Sequence, residues 1–254
     1  MPHANATALS INLNKIALIR NSREGNFPDV CEHAQRCIDL GADGITVHPR
    51  PDQRHIRAED VRQLAKLVSP QVEFNVEGNP FAPALGSYPG FMALVAETLP
   101  AQCTLVPDSD AQLTSDHGFD LRSSATALKP IIAELKQQGM RVSLFMDPDP
   151  DQIKRAADIG ADRIELYTGP FAAAHKAQAP ELAQLLTRFA EAAHAAAELG
   201  LGVNAGHDLN LHNLATFRDA VTPLLEVSIG HAFTVDCIAM GMPAAMAAYL
   251  ERCR

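Results

Sequence analysis

Two rhythms of apolar residues run along this chain. Short runs such as Ile45-Thr46-Val47 and Val142-Ser143-Leu144-Phe145 alternate with longer stretches whose apolar positions recur every three or four residues. The first rhythm predicts buried strands and the second predicts amphipathic helices. Strand one spans residues 10–19 as a polar strand, with Asn12, Asn14 and Lys15 interrupting Ile11, Leu13 and Ile16. A loop over residues 20–28 follows, and Asp29 caps a helix at 30–40. Strand two is 44–47, with Gly41 suited to the position after the preceding helix, and a helix follows at 58–68. Strand three is 72–77, then a Pro/Gly-rich loop to residue 89 and a helix at 91–99. Strand four is 102–106. The polar loop 107–120 is long enough to be a lid. A helix at 123–138, broken or bent near Pro130, leads to strand five at 141–146 and a short helix at 149–159. Strand six is 163–167. After a loop, Pro180 opens a long helix to residue 199. Strand seven is 202–205, followed by a helix at 211–220. Strand eight is 225–229, and a closing helix spans 234–252.

Eight strand–helix alternations in 254 residues favour a parallel sheet closed into one (β/α)8 TIM barrel of the α/β class. The whole chain, 1–254, is expected to be one barrel domain with residues 1–8 a loose tail. Gly41-Ala42-Asp43-Gly44 and Gly160-Ala161-Asp162-Arg163 form a short internal echo at equivalent points of two βα units. No G-x-G-x-x-G follows strand one, so a dinucleotide fold has no support.

Composition narrows the partners. Hydrophobic residues make up 47% of the chain and the formal net charge is -9, which argues against nucleic acid or an anionic membrane surface. Any anionic ligand therefore requires a local cationic pocket. The five cysteines form no C-x-x-C pair and read as buried thiols in a reducing compartment. With no apolar run of membrane-spanning length and no signal-peptide charge pattern at the start, the expected location is the cytoplasm.

In a parallel barrel the C-terminal strand ends meet at one face. Those ends supply Asn12, Asn14 and Lys15 from strand one, His48 and Arg50 from two, and Asn75 and Glu77 from three. Glu165, Tyr167 and Thr168 come from six, Asn204 and His207 from seven, and Gly230 and His231 from eight. Histidines, glutamates and cations in one mouth make a set suited to moving protons. Asn204-Ala-Gly-His207 and Ser228-Ile-Gly-His231 each close a strand with Gly-His before a helix, an arrangement that presents backbone N–H groups to phosphate. Each residue also has a plainer reading. His48 can stack on Pro49, Glu77 can be an exposed loop carboxylate, His207 can cap a helix beside Asp208, and Arg23 and Arg50 can be rim charges.

Several segments together resemble the pyridoxine 5'-phosphate synthase family. They include Asn12-Leu-Asn-Lys-Ile-Ala-Leu-Ile-Arg-Asn21, the run from Gly41 to Ile56 containing His48-Pro-Arg-Pro-Asp-Gln-Arg-His55, and Phe74-Asn-Val-Glu-Gly78. Leu105-Val-Pro107, Val142-Ser-Leu-Phe145, Glu165-Leu-Tyr-Thr-Gly169, Asn204-Ala-Gly-His207 and Ile229-Gly-His-Ala232 complete the set. The resemblance implies condensation of 1-deoxy-D-xylulose 5-phosphate with 3-amino-2-oxopropyl phosphate to give pyridoxine 5'-phosphate, phosphate and water, with no metal and no organic cofactor. It implies His48 and Glu77 as proton acceptors, His207 as proton donor and Glu165 as a stabiliser of developing charge. It places Asn12, Arg23, Asp208, Gly230 and His231 at the aminoketone phosphate. Asn14, Lys15, Arg50, His55 and Thr114 fall at the deoxyxylulose phosphate. A homo-octamer built from dimers is also implied. The chain departs from the commoner pattern at Asn14-Lys15, where Asp-His is usual, at Leu18, where Thr is usual, and at Asp208, where glycine is usual.

Other functions remain open on the residues alone. A Schiff-base aldolase would use Lys15, a metallohydrolase would use His48, Glu77 and His207 as ligands, and a non-catalytic sugar-phosphate sensor would need only the anion sites.

Overall fold

The computed structural model describes residues 7–109 and 112–254. Eight strands close into a barrel in sequence order, every neighbouring pair parallel and β8 returning to β1. The strands are β1 (Ala8–Asn12), β2 (Gly44–Val47), β3 (Glu73–Gly78), β4 (Gln102–Leu105), β5 (Arg141–Met146), β6 (Arg163–Tyr167), β7 (Gly202–Gly206) and β8 (Glu226–Ile229). The helices up to β6 are α1 (Asn14–Asn21), α2 (Val30–Asp39), α3 (Ala58–Val68), α4 (Phe91–Thr98), α5 (Leu121–Gln137) and α6 (Pro150–Asp158). After β6 come α7 (Gly169–Ala177), α8 (Leu182–Glu198), α9 (Leu214–Ala220), α10 (His231–Met240) and α11 (Met242–Arg252). This is the expected (β/α)8 architecture.

Strand alternation sorts the side chains into two shells. Leu9, Ile11, Ile45, Val47, Phe74 and Val76, with their counterparts on β4 to β8, are buried between strands and helices. The inward positions are polar rather than branched aliphatic. Ser10 Oγ lies 2.7 Å from Thr46 Oγ1, Asn75 Nδ2 donates to Thr46 Oγ1 at 3.3 Å, and Thr104 donates to Asn75 Oδ1 at 3.0 Å. At the N-terminal end Arg141 donates to Gln102 (2.8 Å) and pairs with Glu73, while Arg163 donates to Asn204 (2.9 Å) and Glu226 (3.1 Å). Asn75 and Asn204, expected at the mouth, therefore lie inside the barrel and hold neighbouring strands together.

The internal echo has a structural cause. Asp43 and Asp162 each bridge back to the preceding strand, the first accepting from Leu9 N–H and the second from Val142 N–H, both at 2.9 Å. Gly41 and Gly160 turn the chain before them at φ +100° and +92°, a region in which side chains are strained.

Several boundaries differ from expectation. Residues 10–19 are not one strand: β1 stops at Asn12, and α1 buries Ile16, Ala17 and Arg20 on one face. An apolar run this short fits either period, and here the helical spacing wins. α7 was not expected; Pro170 opens it. α5 continues through Pro130. α9 begins later than expected, at Leu214. The expected closing helix is two helices, divided at Gly241 with φ +83°. Thr7 and Ala8, expected in the tail, are tied to Cys253 O (3.0 Å) and Leu225 O (2.8 Å). The other tail residues, 1–6, lie outside the described residues.

α1 anchors the loop after β2. Arg20, 1% exposed, donates to Asp60 at 2.5 and 2.8 Å and to His55 O at 3.0 Å. Asn21 Nδ2 donates to His55 O (2.8 Å) and Arg54 O (3.0 Å). Removing the anion of a buried pair leaves an uncompensated charge. Asp60→Ala is expected to cost about 3 kcal/mol and lower the Tm by roughly 6–12 °C in calorimetry. A fall of less than about 2 °C would show that this pair does not hold the loop.

Candidate active site

The C-terminal strand ends enclose a cavity of about 410 Å³. β1 contributes Asn12, whose Oδ1 accepts the Asn14 N–H at 3.0 Å as the chain turns into α1. Asn14 Oδ1 in turn accepts the His48 N–H at 2.9 Å, tying the start of α1 to the end of β2. Lys15 lines the same wall from the first turn of α1 rather than from a strand. On the loop after β2, Arg50 and His55 line the cavity, and the His55 ring stands edge-on to His48 at 6.3 Å.

Glu77 ends β3, 9% exposed, with its Oε2 3.4 Å from Asn12 Nδ2 and 3.9 Å from His48 Nδ1. Glu165 lies opposite on β6. Its Oε1 occupies the space where a Cβ on Gly206 would sit, so glycine at that point of β7 makes room for the carboxyl. Gly230 is similarly confined, since an added Cβ would come 2.9 Å from Asn12 Cβ. After Gly230 the helix α10 opens with His231, and its first turn holds no acidic residue. The first turn of α1 is likewise free of acids. Two helix N-termini free of acidic side chains thus follow adjacent strands, a setting that favours bound anions.

Burial dominates the proton affinities. It pushes Glu77 well above the ordinary carboxylate range, and Glu165, Asp108 and Glu226 add to the shift. Burial also raises Glu165 to about 7, with His207 opposing. Burial and then the Arg50 guanidinium hold His48 well below the ordinary imidazole range. Burial and Arg50 bring His55 to about 3. At neutral pH both imidazoles are neutral and able to accept a proton, while Glu77 holds a proton more tightly than an ordinary carboxyl does. Such divergent affinities in one cavity suit acid–base chemistry.

The loop between β4 and α5 supplies Thr114, whose Oγ1 lies 2.7 Å from His207 Nε2. His207 and Asp208 follow β7 on the cavity wall. Thirteen of the fourteen residues named from the resemblance meet here; the exception is Arg23, exposed on the loop after α1 and outside the cavity lining. Thr168 also departs from expectation, since it is fully buried and its hydroxyl donates to Gly206 O at 2.7 Å.

Sequence reasoning missed Asp108 and Ser115. Asp108, 5% exposed, pairs with Arg50, accepts from Ser115 Oγ at 2.7 Å and lies 3.9 Å from His48 Nε2. An aspartate in a polar loop carries no signal in the sequence; only the strand it follows, β4, brings it beside Arg50. Among the described residues no three His, Cys, Asp or Glu side chains are placed to hold a metal ion, and no helix is long and apolar enough to cross a membrane.

A family model described as "Pyridoxal phosphate biosynthesis protein PdxJ" matches residues 9–254. The chain is 55% identical over 246 residues to the pyridoxine 5'-phosphate synthase of Xanthomonas axonopodis pv. citri (strain 306), covering 96% of both chains. It is 55% identical over 248 residues to that of Xanthomonas campestris pv. campestris (strain B100), covering 96% of this chain and 95% of the relative. Among solved structures, 3-keto-L-gulonate-6-phosphate decarboxylase from Vibrio cholerae O1 biovar El Tor superposes with a TM-score of 0.59 at 13% identity. That match covers 98% of this chain and 99% of the other, and at such identity it shows the fold alone.

Proposed function

The chain belongs to the PdxJ family of pyridoxal phosphate biosynthesis proteins, and from that membership we propose that it is a pyridoxine 5'-phosphate synthase of vitamin B6 biosynthesis. It condenses 1-deoxy-D-xylulose 5-phosphate with 3-amino-2-oxopropyl phosphate, releasing phosphate and water. The observation that carries this reading is the convergence of His48, Glu77, Glu165 and His207 in one cavity bordered by two helix N-termini.

The roles are those the resemblance implies, and the placement of the residues in one cavity supports them. The amine of one substrate adds to the ketone of the other, water is eliminated, and an aldol-type step closes the ring. Each stage moves protons at a different carbon. Neutral His48 accepts one, and the raised affinity of Glu77 makes its ionised form a strong base. Glu165, once ionised, stabilises positive charge developing on the imine nitrogen, and His207 returns a proton to departing oxygen. Asn12, Gly230, His231 and the backbone at Asp208 hold the aminoketone phosphate. Asn14, Lys15, Arg50, His55 and Thr114 hold the deoxyxylulose phosphate. Arg23 has no place in the cavity of one chain, so its expected phosphate contact is not part of this assignment. Closure of the lid keeps reactive imines away from bulk water.

Purified protein given both substrates is expected to form pyridoxine 5'-phosphate, read by mass spectrometry, with phosphate released alongside. Glu77→Gln should lower the rate by about 10²–10⁴-fold. Product formed from one substrate alone, or binding without turnover, would replace the synthase with a different enzyme or a sugar-phosphate sensor.

A second expectation concerns pH. Glu165 must be ionised to stabilise positive charge, and its affinity lies near 7. kcat/KM should therefore rise with pH through about 7, as a composite limb because Glu77 and Glu165 titrate together. Glu165→Gln should lower the rate and shift that limb, leaving the titration of Glu77 alone. An unchanged limb would take Glu165 out of this role.

Copies of the chain are proposed to associate through α1 and α10, which pack against each other. Leu18 and Ile19 on α1 are each 43% exposed, and Val235 and Ile238 on α10 are 50% and 79% exposed. Apolar side chains clustered on adjacent helices suit a self-complementary interface. The resemblance extends this to an octamer built from dimers. Ile238→Asp should reduce the mass measured by light scattering, and an unchanged mass would exclude this face. The five free thiols fit the cytoplasm as the location.

A further inference from the structure

The turn after β7 is held from several sides. His207 and Asp208 both have left-handed backbones, φ +77° and +57°, a conformation that side chains adopt only where surroundings enforce it. Thr168 donates to Gly206 O at 2.7 Å and also reaches His207 O. Asn210 and Asn213 donate their amides to Asp208 O at 3.2 and 3.1 Å. The outcome is a specific imidazole environment. Asp208 Oδ2 lies 3.0 Å from His207 Nδ1, Thr114 Oγ1 lies 2.7 Å from Nε2, and the Tyr167 ring packs edge-on at 5.4 Å.

The contact with His207 is the largest influence holding the Asp208 carboxyl below the ordinary carboxylate range; His231 and Lys15 add weaker attraction. Asp208 is thus an anion, which can only accept a hydrogen bond. Nδ1 of His207 must then carry the proton, leaving Nε2 as the nitrogen that meets the lid and the cavity. Fixing one ring nitrogen through the other is how a carboxylate orients a working histidine.

We propose that Asp208 is a positioning residue for the condensation: its carboxylate fixes His207 with the proton on Nδ1, so that Nε2 faces the substrates and Thr114. The assignment rests on the synthase reading for its kinetics but not for its structural readout. It also gives the Asp208 side chain a task separate from the backbone contact to phosphate.

Asp208→Gly removes the carboxylate at a position whose positive φ suits glycine, so the fold should be retained. Asp208→Asn keeps an acceptor oxygen without charge. With histidine labelled in both ring nitrogens, and the His207 signals identified by their loss in His207→Gln, nitrogen NMR reports the tautomer. In the parent protein His207 should be protonated on Nδ1. In Asp208→Gly the population should shift toward Nε2, and kcat should fall at least about tenfold with both KM values within about twofold. Asp208→Asn should recover part of the kcat. An unchanged tautomer, an unchanged kcat, or a loss confined to KM would each overturn the proposal. If the parent protein makes no pyridoxine 5'-phosphate, the synthase reading fails, while the NMR comparison still decides whether Asp208 sets the tautomer.

Discussion

Polar side chains inside a closed barrel have no water to fall back on, and much of this structure answers that constraint. A buried amide or hydroxyl without a partner costs of order 1–3 kcal/mol, and an unpaired charge more. The inward positions of β1 to β4 meet the demand in a line, Ser10 to Thr46 to Asn75 to Thr104. Below them Arg141 and Arg163 neutralise Glu73 and Glu226. The hydroxyl and amide contacts join neighbouring strands and the two ion pairs reach across one strand, so a slip in register would leave the partners unsatisfied. The strands are thereby fixed relative to one another, and so are the side chains at their C-terminal ends.

That rigidity explains how the mouth can hold groups whose charges are mutually unfavourable. Glu77 and Glu165 both line the cavity; burial drives each toward the neutral form, and the neighbouring Glu165 adds to the shift of Glu77. The imidazoles of His48 and His55 are driven the same way by burial and by Arg50. The Arg50–Asp108 pair, Lys15 and the turn at Asp208 carry the remaining charge at the cavity wall. The helix N-termini of α1 and α10 add partial positive charge beside them. Such an arrangement favours anionic small molecules over cationic ones.

The fold was legible in the sequence because period and chemistry agreed over most of the chain. β2, β5 and β6 have the boundaries expected from their β-branched runs, as does α3 from its apolar stripe. Legibility failed where two periods fit the same letters. Ile16, Ala17, Leu18 and Ile19 extend a strand as readily as they build a helix, and only the packing of Ile16, Ala17 and Arg20 decides for α1. The site was legible where a strand end coincided with a titratable group, as at His48, Glu77, Glu165 and His207. It was not legible at Asn75 and Asn204. A residue two positions earlier on the same strand shares the inward face, and the sequence does not say at what depth the cavity floor lies.

Asp108 shows the complementary failure, and it connects the loop after β4 to the cavity wall. It follows β4 by three positions and is buried because Arg50 arrives from β2 to neutralise it. Ser115 then binds the same carboxylate from the far side of the loop, one residue beyond Thr114. Thr114 meanwhile meets His207. Neighbouring lid residues therefore grip opposite walls of the cavity, one through Asp108 and Arg50 beside β2, the other through His207 at the end of β7. The loop after β4 is thereby tied to both walls of the cavity by side chains that the sequence places far apart and the barrel brings together.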